Sequence, residues 1–161
     1  MPPGPGRRRE GASPQLIFFY GLVGFIVFLD QLTKYFALVF LSEGSKPVLP
    51  NVFHLTLVRN TGVAFGFLSD HSSLLFSVIT VSLIFLFILV ARSHGASLSE
   101  KWALSLILGG AIGNWIDRVR LGAVIDFLDF RFWPVFNLAD TAITVGVCVY
   151  LISLFRTREK E

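Results

Sequence analysis

The chain has 161 residues, 53% of them hydrophobic and 16% charged, with a formal net charge of +3 and a mean hydropathy of +0.68. That is the composition of a single integral membrane domain. The lone cysteine, Cys148, lies in an apolar run and is expected to be packing, which excludes a disulfide framework and a thiolate metal site; the basic residues bear on topology, not on nucleic acid.

Residues 1–15, MPPGPGRRREGASPQ, are rich in Pro, Gly and Arg and read as a disordered arm, with no signal-peptide cleavage site after the first span. A membrane domain over 16–155 follows, and 156–161 form a tail. Four apolar runs, about 16–40, 73–91, 102–118 and 136–155, predict four transmembrane helices, since spanning takes about 20 residues. The fold class expected is therefore an all-α membrane protein with a small extracytoplasmic β-containing segment.

In the first helix, Asp30 and Lys34 are four apart and share a face, where pairing lowers the cost of both charges. Both a structural pair and a catalytic role fit. The 42–72 connection is too long for a turn, and within it 52–58 (VFHLTLV) is β-branched and aromatic enough to predict a short strand. It leads into Asn60, Thr61 and Gly62, which form a turn or face a substrate. Phe65 and Phe67 suit packing on lipid chains or within the fold.

The second helix carries Ser77 and Ser82, expected to bond their own helix. The third ends in GNWIDR, where Asn114 and Asp117 are three apart and Arg118 is adjacent, a pattern that suits a hydrogen-bonded scaffold. Next come VIDFLDF, with Asp126 and Asp129, and FNLAD, with Asn137 and Asp140 at the start of the fourth helix. There a carboxylate serves as a cap or dipole partner, or meets the carboxylate of Asp126 across a short connection. Two like charges in a poorly solvated place cannot both ionise easily, so they share a proton and supply one acid and one base. His54, His71 and His94 are scattered and read as surface or interface residues, giving neither a zinc site nor a Ser/His arrangement.

Basic residues set the orientation. Arg7 to Arg9, Arg92, Lys101, Arg156, Arg158 and Lys160 place both termini and the 92–101 connection in the cytoplasm. The connections 42–72 and 119–135 then face outward, with the carboxylates.

At DQLTK (Asp30 to Lys34), RNTGVAFG (Arg59 to Gly66), GNWIDR (Gly113 to Arg118), VIDF (Val124 to Phe127) and FNLAD (Phe136 to Asp140), the chain resembles the lipoprotein, or type II, signal peptidases, membrane aspartyl proteases of bacteria. The resemblance covers nearly everything after the arm. It implies Asp126 and Asp140 as the catalytic pair, with Asp30, Lys34, Asn60, Gly62, Asn114, Arg118 and Asn137 shaping the site beside the scaffold residue Asp117. Asp129 has no role there and is expected to be a solvated loop carboxylate. The implied reaction removes the signal peptide just before a diacylglyceryl-modified cysteine, at the outer face of the bacterial cytoplasmic membrane. No metal or cofactor is implied; the partners are the lipid-modified prolipoprotein and membrane lipid, and a monomer is expected.

Two other classes keep carboxylates in membrane spans. An ion or proton transporter needs access from both sides, yet the inner halves of the last three helices hold few ionisable groups and no paired broken repeats. A metal-dependent lipid phosphatase would use Asp126, Asp129 and Asp140 as ligands, without a basic cluster or Gly-rich loop for phosphate.

Overall fold

The computed structural model describes residues 14–62, 72–92 and 97–158. Nearly all of the expected N-terminal arm, the end of the tail, Phe65, Phe67, His71 and His94 lie outside the described residues. Four helices and three strands follow in the order α1 (Pro14–Phe40), β1 (Lys46–Leu49), β2 (Phe53–Asn60), α2 (Ser72–Arg92), α3 (Leu98–Leu121), β3 (Val124–Asp129) and α4 (Leu138–Arg158).

Helix α3 is the central element, packed on α1, α2 and α4. It can be approached closely because its facing residues are small: added side chains at Gly109 and Gly110 would meet Ile26 and the Ala139 carbonyl, and Gly146 of α4 sits equally tightly on Ala103. Small residues let helix backbones approach where lipid offers no hydrophobic drive to association. Phe19, Val23, Val90, Leu104 and Leu108 close the bundle core, while Phe25, Phe28, Phe85, Ile152 and Phe155 point outward. Among the described residues, Ile17–Phe40 and Leu138–Arg156 are long and apolar enough to cross a membrane, and Phe76–Ile88 is a shorter apolar stretch. Helix α3 is less apolar because its polar residues face its neighbours.

Both ends of α3 are sealed. Ser97 and Glu100 form a reciprocal capping box at the start, and Gly122, at φ +70°, returns its N–H to the Arg118 carbonyl at the end; that left-handed conformation suits glycine. The helix therefore runs beyond 118, its expected end, and Asn114 and Asp117 lie inside it.

The sheet is larger than the single strand expected. Its order is β1-β2-β3, antiparallel throughout, and Ala37 of α1 and Leu41 just after it pack with Ile125 and Phe127 of β3 to tie it to the bundle. Asp126 thus stands on a strand within the 119–135 connection. Between the pairs Leu55↔Leu128 and Val58↔Asp126, β2 advances three residues while β3 advances two, so β2 carries one extra residue, a bulge. Cys148 is exposed on α4: its run is apolar because it faces outward, which corrects the expectation of a packed thiol.

Candidate active site

The site is layered, beginning with charges inside the bundle. Lys34 lies 2.8 Å from both Asp30 and Asp117 and donates to the Asn114 side-chain oxygen at 2.8 Å. All four side chains are buried. One ammonium between two carboxylates is tolerated there because the remaining lone pairs are also used. Asp30 accepts the Ala139 N–H at 3.0 Å, and Asp117 accepts the Ile125 N–H at 3.1 Å. The inner ion cluster therefore grips the first turn of α4 and the strand β3. Gly113 makes room for it, since any Cβ there would strike the Asp30 carboxylate.

Gln31 was not singled out from the sequence, yet its amide donates to Asp117 at 2.9 Å and to the Gly113 carbonyl at 3.2 Å. The available signal is its place next to Asp30 in an apolar span, because amide side chains there hydrogen-bond across helices.

Two asparagines carry the network to the carboxylate pair. Asn114 donates to Asp140 at 2.8 Å. The Asn137 side chain donates to Asp126 at 2.7 Å and to Asn114 at 3.0 Å, while its backbone N–H reaches Asp140 at 3.2 Å. Its oxygen in turn accepts the Asp140 N–H at 2.9 Å, so Asn137 caps α4 as it joins the two aspartates. On the far side, Asn60 donates to Asp126 at 2.9 Å, and the Gly62 N–H bonds the Asn60 oxygen at 2.9 Å. Gly62 has φ +88°, a backbone conformation that costs other residues energy.

Asp126 is 1% exposed. Burial, together with the nearby Asp140, outweighs the hydrogen bonds from Asn60 and Asn137 and pushes its carboxyl from 3.8 up to about 6. Asp140 is only half-buried. The two carboxylates therefore sit in different environments, which separates acid from base. Arg118 donates to the Asn114 carbonyl at 3.2 Å, and its charge acts on both Asp140 and Asp126.

Every site residue expected from the sequence enters this network. Asp129 does not. It is no solvated loop group but a buried β3 residue, 5% exposed, accepting from Thr56 at 2.8 Å and from the Arg131 N–H at 2.9 Å. Those bonds, the Arg131 backbone first and Thr56 next, hold its carboxyl below the usual value. A spacing of three puts Asp126 and Asp129 on opposite faces of an extended strand, and the β2 bulge keeps Asn60 and Thr56 in step with them. Thr56 continues to Ser45 at 2.8 Å, and Ser45 to His54 at 3.1 Å. The structure thus pairs a serine with a histidine where none was expected, at an exposed sheet edge.

Beside Asp140 a groove of about 420 Å³ is lined chiefly by Phe132, Trp133, Phe136, Thr144 and Val145. Among the described residues, no group of three or more His, Cys, Asp and Glu side chains is placed to hold a metal.

Comparison with known proteins supplies a likeness. A family model described as signal peptidase (SPase) II matches residues 22–156. The lipoprotein signal peptidase of Caldanaerobacter subterraneus is 50% identical over 130 residues, 80% of this chain and 89% of that one. That of Brevibacillus brevis is 40% identical over 148 residues, 90% of this chain and 99% of that one. Among solved structures, one described as a bacterial membrane enzyme superposes with a TM-score of 0.78 at 33% identity, covering 89% of this chain and 91% of the other.

Proposed function

This chain belongs to the signal peptidase II family, proteases that remove the signal peptide from prolipoproteins, and from that premise we propose that Asp126 and Asp140 are its catalytic acid and base. The observation that carries this is Asn137, which bonds both carboxylates and so holds them to one reacting centre. A water between them loses a proton to the ionised carboxylate as its oxygen attacks the scissile carbonyl. The protonated partner donates to the carbonyl oxygen, giving a neutral tetrahedral intermediate. The newly protonated carboxyl then gives its proton to the leaving nitrogen while the other carboxylate takes a hydroxyl proton from the intermediate, so the C–N bond breaks and the pair again shares one proton. Asn60, Asn114 and Asn137 fix the carboxylates, and the Arg118 charge offsets negative charge at the centre. Asp30, Lys34 and Asp117 act behind them as positioning residues, and Gly62 sets the turn that aims Asn60.

The substrate proposed is a prolipoprotein whose cysteine bears diacylglycerol. All four helices span the cytoplasmic membrane, both termini are cytoplasmic, and the sheet and carboxylates lie on the outer side, where a lipid-tethered peptide bond is delivered. The enzyme acts as a monomer without metal or cofactor. The test is cleavage of a lipidated prolipoprotein by purified protein, by Asp126→Asn and by Asp140→Asn. Each variant should lose activity while remaining folded, and the double variant should lose little more, because groups sharing a proton act as a unit. Chelators should change nothing. Activity that returns only on adding a divalent ion, or that survives either substitution, would overturn the assignment.

A further inference from the structure

The aromatic groove beside Asp140 has the wrong chemistry for a peptide and the right one for hydrocarbon. Among its lining residues Asp140 is the one charge. Its two threonines have already used their hydroxyls within α4: Thr141 donates to the Asn137 carbonyl at 3.0 Å and Thr144 to the Asp140 carbonyl at 2.8 Å. The remaining wall is aromatic and aliphatic. Phe132 and Trp133 are 81% and 63% exposed, large apolar surfaces that water would penalise.

The groove also has a direction. Starting at Thr141, residues Val145, Cys148, Ile152 and Phe155 recur at intervals of four and three, one stripe of a helix, and all four are exposed. The groove therefore begins at a proposed catalytic carboxylate and opens at Val145 onto the exposed apolar stripe of a helix apolar enough to span a membrane.

We infer that this groove seats an acyl chain of the substrate's own lipid, entering sideways from the bilayer along α4, with Phe132 and Trp133 as one wall and Val145 as its floor. The inference rests on the proposed reaction. There the lipid-bearing cysteine adjoins the scissile bond, so its acyl chains must begin beside the carboxylates, as this groove does. It makes acyl length, and not only the peptide, a determinant of recognition.

The test compares prolipoprotein peptides carrying long (C16) or short (C4) acyl chains. Val145→Trp, at an exposed position outside the carboxylate network, fills the groove. It should raise KM for the long-chain substrate about tenfold, the size of effect expected for a few buried methylenes at about 0.8 kcal/mol each, with kcat unchanged and the short-chain substrate altered less than twofold. Val147→Trp, exposed on another face of α4, controls for bulk in lipid and should change neither. Equal losses on both substrates, equal losses from the two variants, or no loss from Val145→Trp each overturn the proposal. A photoactivatable acyl chain on the uncleaved substrate, offered to Asp126→Asn, should crosslink to Phe132, Trp133 or Val145; labels scattered over all four helices also overturn it. Because crosslinking reads occupancy without cleavage, a wild-type enzyme inactive on both substrates would count against the reaction and not against the groove.

Discussion

Asn137 donates its side-chain amide to Asn114 across 3.0 Å, and each of the two then reaches a different carboxylate, Asn137 to Asp126 and Asn114 to Asp140. The asparagines form the bridge through which one aspartate's position constrains the other's.

Replacing either bridge residue with alanine removes a buried hydrogen bond to a charged group, about 1.5–3 kcal/mol, and should lower kcat roughly 10- to 100-fold. Asn114→Ala with Asn137→Ala should cost less than the two single effects combined, since they share one network. Initial-rate cleavage assays on the three variants check this; effects that multiply would show two independent residues.

Asp126 gives a stability signature with a definite sign. Its folded carboxyl keeps a proton to about pH 6, whereas its ordinary value is 3.8. Between those values the folded state binds more protons than the unfolded one, so this group's contribution to stability falls as pH rises from about 4 to 6. Thermal unfolding in detergent should show that fall in the wild type, and Asp126→Asn should lose it. An unchanged slope in the variant would place the titration elsewhere.

Lys34→Met should be strongly destabilising, because it strands Asp30 and Asp117 without their cation; breaking a buried pair from one side costs about 3–5 kcal/mol. Adding Asp30→Asn should restore part of the loss by removing one of the stranded charges. Melting temperatures of the single and double variants measure this, and a Lys34→Met protein as stable as the wild type would show that the cluster contributes nothing to the fold.

Reporter fusions after Glu161 and within 92–101 should read cytoplasmic, while fusions near Ser45 and Phe130 should read external, following the basic residues of the connections. A cytoplasmic signal at Phe130 would put the carboxylates on the wrong side for a translocated substrate.

The four helices were legible because an apolar run of about 20 residues has the length and the chemistry of a membrane span, and Asp30 with Lys34 because helical spacing alone brings them together. The sheet was not. β1 has four residues, one of them proline, and β3, VIDFLD, lies in the 119–135 connection, where six residues carrying two aspartates do not declare a strand by periodicity alone. The missed strand also accounts for Asp129: in a loop it would be solvated, whereas a strand turns it away from Asp126 onto Thr56. The site's residue types stood in the sequence, but its wiring did not, since the bonds of Lys34, Asn60 and Asp30 join elements far apart in the chain.

The extra residue in β2 has a consequence for heredity. Most connections tolerate gained or lost residues, whereas exchanges between Leu55 and Val58 must keep the Thr56 hydroxyl that bonds Asp129 and the Leu57 contact with the core. Losing one codon there would remove the bulge and leave the pairs on both sides of it in register, with Asn60 still facing Asp126, whereas losing two would slip the strand by one and reverse the outlook of every side chain beyond. In this short stretch the number of residues is inherited information in its own right: deletion of Leu57 alone gives up its core contact but should leave the enzyme working, and deletion of two residues should silence it by turning Asn60 from Asp126.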